Sequence, residues 1–175
     1  VYEPNWLNAR DIPMKDGHFN LNDCINYLIR FIEKVGSGIK VLSICQSTVT
    51  ALVGIASMIQ ENSKFTPSHL VVMGGPLDVD ATPTVVDDFA SEHDLLWFSN
   101  SLITRVPIRY KGFGRRVYPG FMQLLGFLAM NPTKHFMEHV KLFKNLVNKE
   151  DEKVHKNVAF YNEYFSHLDL NAQFR

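Results

Sequence analysis

The stretch that most constrains this chain is Val41-Leu42-Ser43-Ile44-Cys45-Gln46-Ser47-Thr48-Val49-Thr50-Ala51-Leu52. An apolar run ends in a small residue, a thiol and a polar pair. Ala51, Leu52, Ile55, Ala56 and Ile59 then recur at the spacing of one helix face. The run before Cys45 is too short for a helix, and the stripe after it has the wrong period for a strand. The stretch therefore predicts a strand, a sharp turn and a helix, with Cys45 at the apex.

The flanking segments repeat that alternation. Val1–Trp6 is β-prone, with Pro4 marking a strand end or edge. Leu21, Ile25, Leu28, Ile29 and Ile32 form a helical stripe, capped by Asn20 or Asn22 with Asp23 in the first turn. Gly36-Ser37-Gly38 ends it. Residues 39–45 and 69–73 read as buried strands, the second closed by Gly74-Gly75-Pro76. The order β-α-β-α-β with apolar strands predicts a parallel sheet of about three strands with flanking helices. Ligands bind such sheets beyond the carboxyl ends of the strands. The turns at residues 6–13, 45–48 and 74–78 should then share one rim.

Past Asp78 the pattern turns helical. Thr82-Pro83 reads as an N-cap with proline at the first helical position. Helices are predicted to about Glu92 and over residues 94–104, 121–130, 133–147 and 151–165, with no further strand. Residues 107–119 read as a basic, glycine-bearing loop. The predicted division is a core over residues 1–80 and a helical cap over residues 81–175. Three parallel strands leave two long unpaired edges, against about five or six strands in a typical sheet. With Val1 rather than Met at the start, the chain reads as a fragment, or as one that dimerises through a sheet edge.

Composition excludes several classes. Eighteen basic residues balance eighteen acidic ones, so no global field draws the chain to nucleic acid or anionic lipid. Two cysteines make neither a disulfide framework nor a metal cluster, and they suit a reducing cytoplasm. No apolar run approaches the ~20 residues of a membrane span. No cofactor and no metal is expected.

Cys45 is the sharpest chemical candidate. A nucleophile elbow, as in α/β-hydrolases, holds its apex residue between strand and helix and requires small residues two before and two after. Ser43 and Ser47 stand there. The backbone N–H of Gln46, the residue after the nucleophile, is then an oxyanion donor. The competing reading is a buried structural cysteine at a strand end. Cys24, inside a helical stripe, reads as core.

Seven histidines offer a base, and none has the required context. His69 sits at the wrong end of its strand. His93, His135, His139, His155 and His167 lie in or beside helices of the second half, where a surface or helix-face role is the simpler reading. His18 is in a turn. Asp78 and Asp80 follow a strand but read as solvated loop carboxylates. Gly74-Gly75-Pro76 lacks the spacing of a phosphate loop. Arg115-Arg116, beside Tyr110, Phe113 and Tyr118, could stack on an acidic ligand or nucleic acid. A lid or packing role fits the balanced charge better.

Together these segments resemble the intracellular polyhydroxyalkanoate (polyhydroxybutyrate) depolymerases. The likeness rests on Asn5-Trp6, Asn8-Ala9-Arg10-Asp11-Ile12-Pro13, Tyr27-Leu28-Ile29-Arg30-Phe31, Ser43-Ile44-Cys45-Gln46 and Met73-Gly74-Gly75-Pro76-Leu77-Asp78. It continues through Gly112-Phe113-Gly114-Arg115-Arg116-Val117-Tyr118-Pro119-Gly120-Phe121 and Phe160-Tyr161-Asn162-Glu163-Tyr164. One position departs: the family commonly carries proline after Cys-Gln, where Ser47 stands.

The resemblance implies a partial α/β-hydrolase fold with a helical cap. It implies cleavage of stored poly(3-hydroxyalkanoate) by acyl transfer to Cys45, with Gln46 N–H on the oxyanion. It implies the polymer or granule surface as partner and a cytoplasmic, granule-associated location. It places the acid and base of the triad, an Asp and a His, outside this sequence or on a complementing chain. Two other readings stay open. One is a polyhydroxyalkanoate synthase-like acyltransferase, which also uses a cysteine elbow. The other is a non-catalytic granule-binding or vestigial module.

Overall fold

A computed structural model describes residues 1–174. The chain forms two compact units. The first contains Val1–Trp6, Gly17–Thr84 and the last described residues from Ala172. The second contains Leu7–Asp16 and Val85–Asn171, so residues 7–16 go with the helical half rather than with the strands. No helix among the described residues is long and apolar enough to cross a membrane.

In the first unit, helix α1 (Leu21–Val35) leads to strand β1 (Lys40–Ile44), helix α2 (Ser47–Gln60) and strand β2 (His69–Met73). Asn20 and Asp23 close a reciprocal capping box at the start of α1. Gly36 ends it at φ 116°, a backbone angle that residues with a Cβ rarely adopt. β1 and β2 pair in parallel, Lys40 opposite His69 through Ile44 opposite Met73. Ile32 of α1 packs with Ile55 and Met58 of α2, against Val41 and Leu70 of the sheet. Each such side chain, once fully buried, contributes about 1.5–3 kcal/mol.

Two expectations for this unit are corrected. Val1–Trp6 forms no strand, so the parallel sheet has two strands among the described residues rather than three. Pro4 has no N–H to give a ladder, and Trp6 instead packs its ring 6.0 Å from those of Phe19 and Phe31 on the α1 side. With no strand ending at Trp6, the rim is built from two turns. The strands are also not buried on both faces. α1 and α2 cover the side of Val41 and Leu70, while Leu42, Ile44, Val71 and Met73 on the other side are exposed. The pleat sends alternate side chains to opposite faces, and this unit lays helices on one face only.

The second unit holds helices α3 (Val85–Ser91), α4 (Leu95–Ser101), α5 (Gly120–Met130), α6 (Pro132–Val147) and α7 (Asp151–Tyr164). Asp94 caps α4 by accepting the Trp97 N–H at 2.7 Å. Asn131 caps α6 with Pro132 at its first position. The expectation of no further strand is wrong here. Thr104–Arg105 (β3), Arg116–Tyr118 (β4) and Leu170–Asn171 (β5) form an antiparallel sheet in the order β3-β4-β5. Strands of two or three residues are too short to show a period. Helix α4 therefore stops at Ser101 instead of Thr104, because Thr104 and Arg105 pair with β4.

Residues 7–16 are fastened to this sheet. Ala9 is buried with Val106 and Val117. Arg115, 4% exposed, donates to the carbonyls of Ile12 (3.2 Å) and Pro13 (2.9 Å). A β-carbon on Gly112 would stand 2.8–2.9 Å from the carbonyl oxygens of Ala9, Arg10 and Ile12, so only glycine fits. Arg10 and Asp169 form an ion pair at 3.2 Å without an aligned hydrogen bond. The carboxylate of Asp169 also accepts from Gly120 N–H at 2.9 Å. Of the two roles weighed for the basic loop, Arg115 takes packing.

Candidate active site

Cys45 stands at the turn between β1 and α2 with φ 59°, in the left-handed region. For a residue with a Cβ this costs about 1–3 kcal/mol and persists only where neighbours enforce it. Three bonds do so. Cys45 N–H donates to Met73 C=O at 2.8 Å, adding one rung beyond the paired strands. Cys45 C=O accepts the Thr48 N–H at 3.1 Å and the Thr48 hydroxyl at 2.7 Å. The thiol is free and exposed, which removes the buried structural reading. Cys24 is buried in α1, and burial raises its pKa, as for core.

The small residues on either side are tied to each other. Ser47 donates its hydroxyl to Ile44 C=O at 2.9 Å and accepts the Ile44 N–H at 3.2 Å. With the Ser47 proton used there, the 2.8 Å contact to Ser43 has Ser43 as donor. A hydroxyl thus closes the turn at the position where the resembled family carries proline. Gln46 is helical (φ −58°, ψ −29°) and opens α2. Its N–H has no acceptor among the described residues. That leaves a backbone donor beside the thiol at a helix N-terminus, where partial positive charge collects.

The Gly74–Gly75 turn after β2 completes this rim. Gly74 has φ 58°. Gly75 lies against fully buried Thr48, whose atoms fill the space of any Cβ at position 75. Sequence reading passed over Thr48 and treated Gly75 as a simple turn. The available signal was a glycine pair directly after a strand that must lie beside an elbow.

No described residue makes a hydrogen bond to the Cys45 thiol. His69 pairs with Lys40 at the far end of the sheet, roughly 13 Å from Met73 at ~3.3 Å per residue. It contacts Ser68. His18 is exposed. Asp78 is an exposed loop carboxylate that accepts from Ala81 N–H at 3.1 Å. The other five histidines belong to the second unit.

One of those is not the plain helix-face residue expected. His135 of α6 lies between two phenols of α7, with Nδ1 3.3 Å from Tyr161 Oη and Nε2 3.5 Å from Tyr164 Oη. Tyr161 is buried, and its pKa is raised by that burial first, then by the charges of Glu138 and Tyr164. No local pattern reveals this set, because its members come from two helices.

A family model described as PHB de-polymerase C-terminus matches residues 74–175. This chain belongs to that family. The match bears out the resemblance read from the sequence and supports a polyhydroxybutyrate depolymerase-like role. Neither a curated protein nor a solved structure matched significantly. In this chain the matched span opens on the Gly74–Gly75 turn against which Thr48 packs. It includes Arg115, Gly120 and Asp169, whose contacts fasten residues 7–16 and β4–α5.

Proposed function

We propose that the chain is part of an α/β-hydrolase that cleaves poly(3-hydroxyalkanoate) by acyl transfer to Cys45. The observation that carries this is the exposed thiol held at φ 59° between strand and helix, in a chain of a depolymerase family. The thiolate attacks the ester carbonyl, a C–S bond forms, and the oxyanion rests on Gln46 N–H. The C–O bond then breaks and the hydroxyl end of the chain leaves with a proton. Water cleaves the thioester and frees a 3-hydroxyacid. The acid and base would come from polypeptide beyond this sequence or from a complementing chain, since no described residue bonds to the thiol. The workplace would be a cytoplasmic granule surface.

That no described residue bonds to the thiol favours one second reading, a granule-binding module without turnover. Mass spectrometry after exposure to a p-nitrophenyl 3-hydroxybutyrate ester separates the two. Acylation of Cys45, absent in Cys45→Ala, supports the nucleophile. Granule binding without acylation leaves only the binding module.

A further inference from the structure

Helix α6 presents its apolar residues outward. The side it lays against α7 is largely polar: His135 reaches Tyr161, and Glu138 accepts from Asn157. Leu142 and Asn145 share that side, half-buried. The opposite side carries Phe136, Val140, Phe143 and Val147, spaced so that all four recur on one face. Phe136 and Phe143 are each 67% exposed, and Val147 is 65% exposed. A helix that serves only its own core shows the reverse arrangement. The balanced total charge also conceals a local excess. Residues 95–149 hold nine lysines and arginines against one acid, Glu138. On α6, Lys141 pairs with Glu138 at 3.6 Å. Lys134, Lys144 and Lys149 have no ion pair among the described residues. Of the acids at the turn that follows, Glu150 pairs with Lys153 and Glu152 with Lys156. Asp151 has no ion pair among the described residues.

We propose that the outward side of α6 lies on an anionic lipid surface, in the plane of the headgroups. A helix with an apolar stripe and lysines at its margin binds there by sinking the stripe below the headgroups, while the ammonium groups reach back to the phosphates. The 16 residues of α6 make a straight stripe of ~24 Å that can lie flat. Helix α5, which packs against α6, carries no charged residue and exposes Phe121, Leu125 and Met130. Charge selects the partner. A second α6 would bring the same lysines against these, with Glu138 turned inward and already paired, so self-pairing is opposed. A neutral polymer surface would cover Phe136 and Phe143 but give Lys144 and Lys149 no counter-charge. A leaflet with anionic headgroups supplies an apolar layer and negative charge in one plane. The inference concerns where the chain binds, and it does not depend on the chemistry at Cys45.

The test is cosedimentation of the whole chain with sucrose-loaded vesicles, made of phosphatidylcholine alone or mixed equally with phosphatidylglycerol. Binding should be about tenfold or more stronger to the mixed vesicles, and it should weaken as salt rises. Phe136→Ser/Phe143→Ser should lower the partition coefficient about tenfold or more. Lys144→Gln should lower it about fivefold, on the mixed vesicles only. These side chains are exposed, so the urea midpoint should hold. Leu95→Ser, at an exposed leucine of α4, should leave binding unchanged. Equal binding to both kinds of vesicle, binding to neither, or an equal loss in Leu95→Ser overturns the proposal. A light-scattering mass that falls in Phe136→Ser/Phe143→Ser also overturns it and assigns this side to a second copy. Retention on polyester granules without retention on vesicles overturns it in favour of the polymer. Cys45 acylation is read in its own assay, so the polyester reading stands or falls separately.

Discussion

Thr48 occupies the place where any side chain on Gly75 would begin. A β-carbon there would stand 2.5 Å from Thr48 Cβ and 2.6 Å from its Cγ2, with the hydroxyl closer still. Thr48 holds the Cys45 carbonyl twice, through its N–H and its hydroxyl. The shape of the second turn is thereby coupled to the backbone of the first. Gly75→Ala should cost about 3 kcal/mol or more, on the scale of overpacking a dense core. It should also slow alkylation of Cys45. Gly126→Ala, in mid-helix with open space around its Cβ position, should instead stabilise by ~0.5–1 kcal/mol. Urea denaturation compares the two; equal effects would remove the Thr48–Gly75 coupling.

The left-handed backbone at Cys45 makes its own prediction. Alanine keeps the Cβ penalty at φ 59°, and glycine does not. Cys45→Gly should therefore be more stable than Cys45→Ala by about 1 kcal/mol, reversing the usual order. Thermal melts of both variants check it, and Cys45→Ala matching Cys45→Gly would count against the strained apex. Both variants should lose acylation.

Ser43 and Ser47 should behave as one unit. Ser47→Ala removes three hydrogen bonds at an exposed residue of the turn and should cost about 0.5–1.5 kcal/mol. Ser43→Ala should cost less, and the double variant little more than Ser47→Ala alone. A double-mutant cycle in urea measures the coupling. Strict additivity would show that the two hydroxyls act apart.

Arg115→Met should loosen the attachment of residues 7–16. It removes two charge-assisted hydrogen bonds to carbonyls from a buried site, a loss of about 3 kcal/mol. Proteolysis near Ile12 should accelerate before cleavage near Cys45 does. Arg115→Lys should rescue little, because an ammonium lacks the planar fork.

Tyr161 sets an alkaline limit. Its folded pKa lies above the usual phenol value of about 10, through burial, Glu138 and Tyr164. The folded state therefore keeps its proton longer than the unfolded state. The stability contributed is complete below about pH 10 and falls as pH rises through the folded value. Tyr161→Phe should flatten that decline. Stability measured from pH 8 to 11 in both proteins decides it.

Several elements were legible because a few adjacent residues dictate them. Asn20 and Asp23 announce the α1 cap, and the stripe from Ala51 to Ile59 announces α2. His69–Met73 reads as a strand of its observed length. The sharp turn at Cys45 was legible because an elbow needs small neighbours at fixed offsets. β3, β4 and β5 were not, since each is shorter than any period it could display. Nor was the role of Arg115, whose partners lie a hundred residues earlier.

By itself the sequence determined the strand–turn–helix around Cys45, the succession of helices after Asp78 and the depolymerase family. These follow from local periodicity, caps and matching residues. Tertiary structure alone decided that the Cys45 backbone is left-handed and its thiol exposed, that Thr48 demands glycine at position 75, and that His135 sits between Tyr161 and Tyr164. Each is a close approach between residues distant in the chain or a backbone angle imposed by such an approach. No reading of neighbours along the chain contains that information.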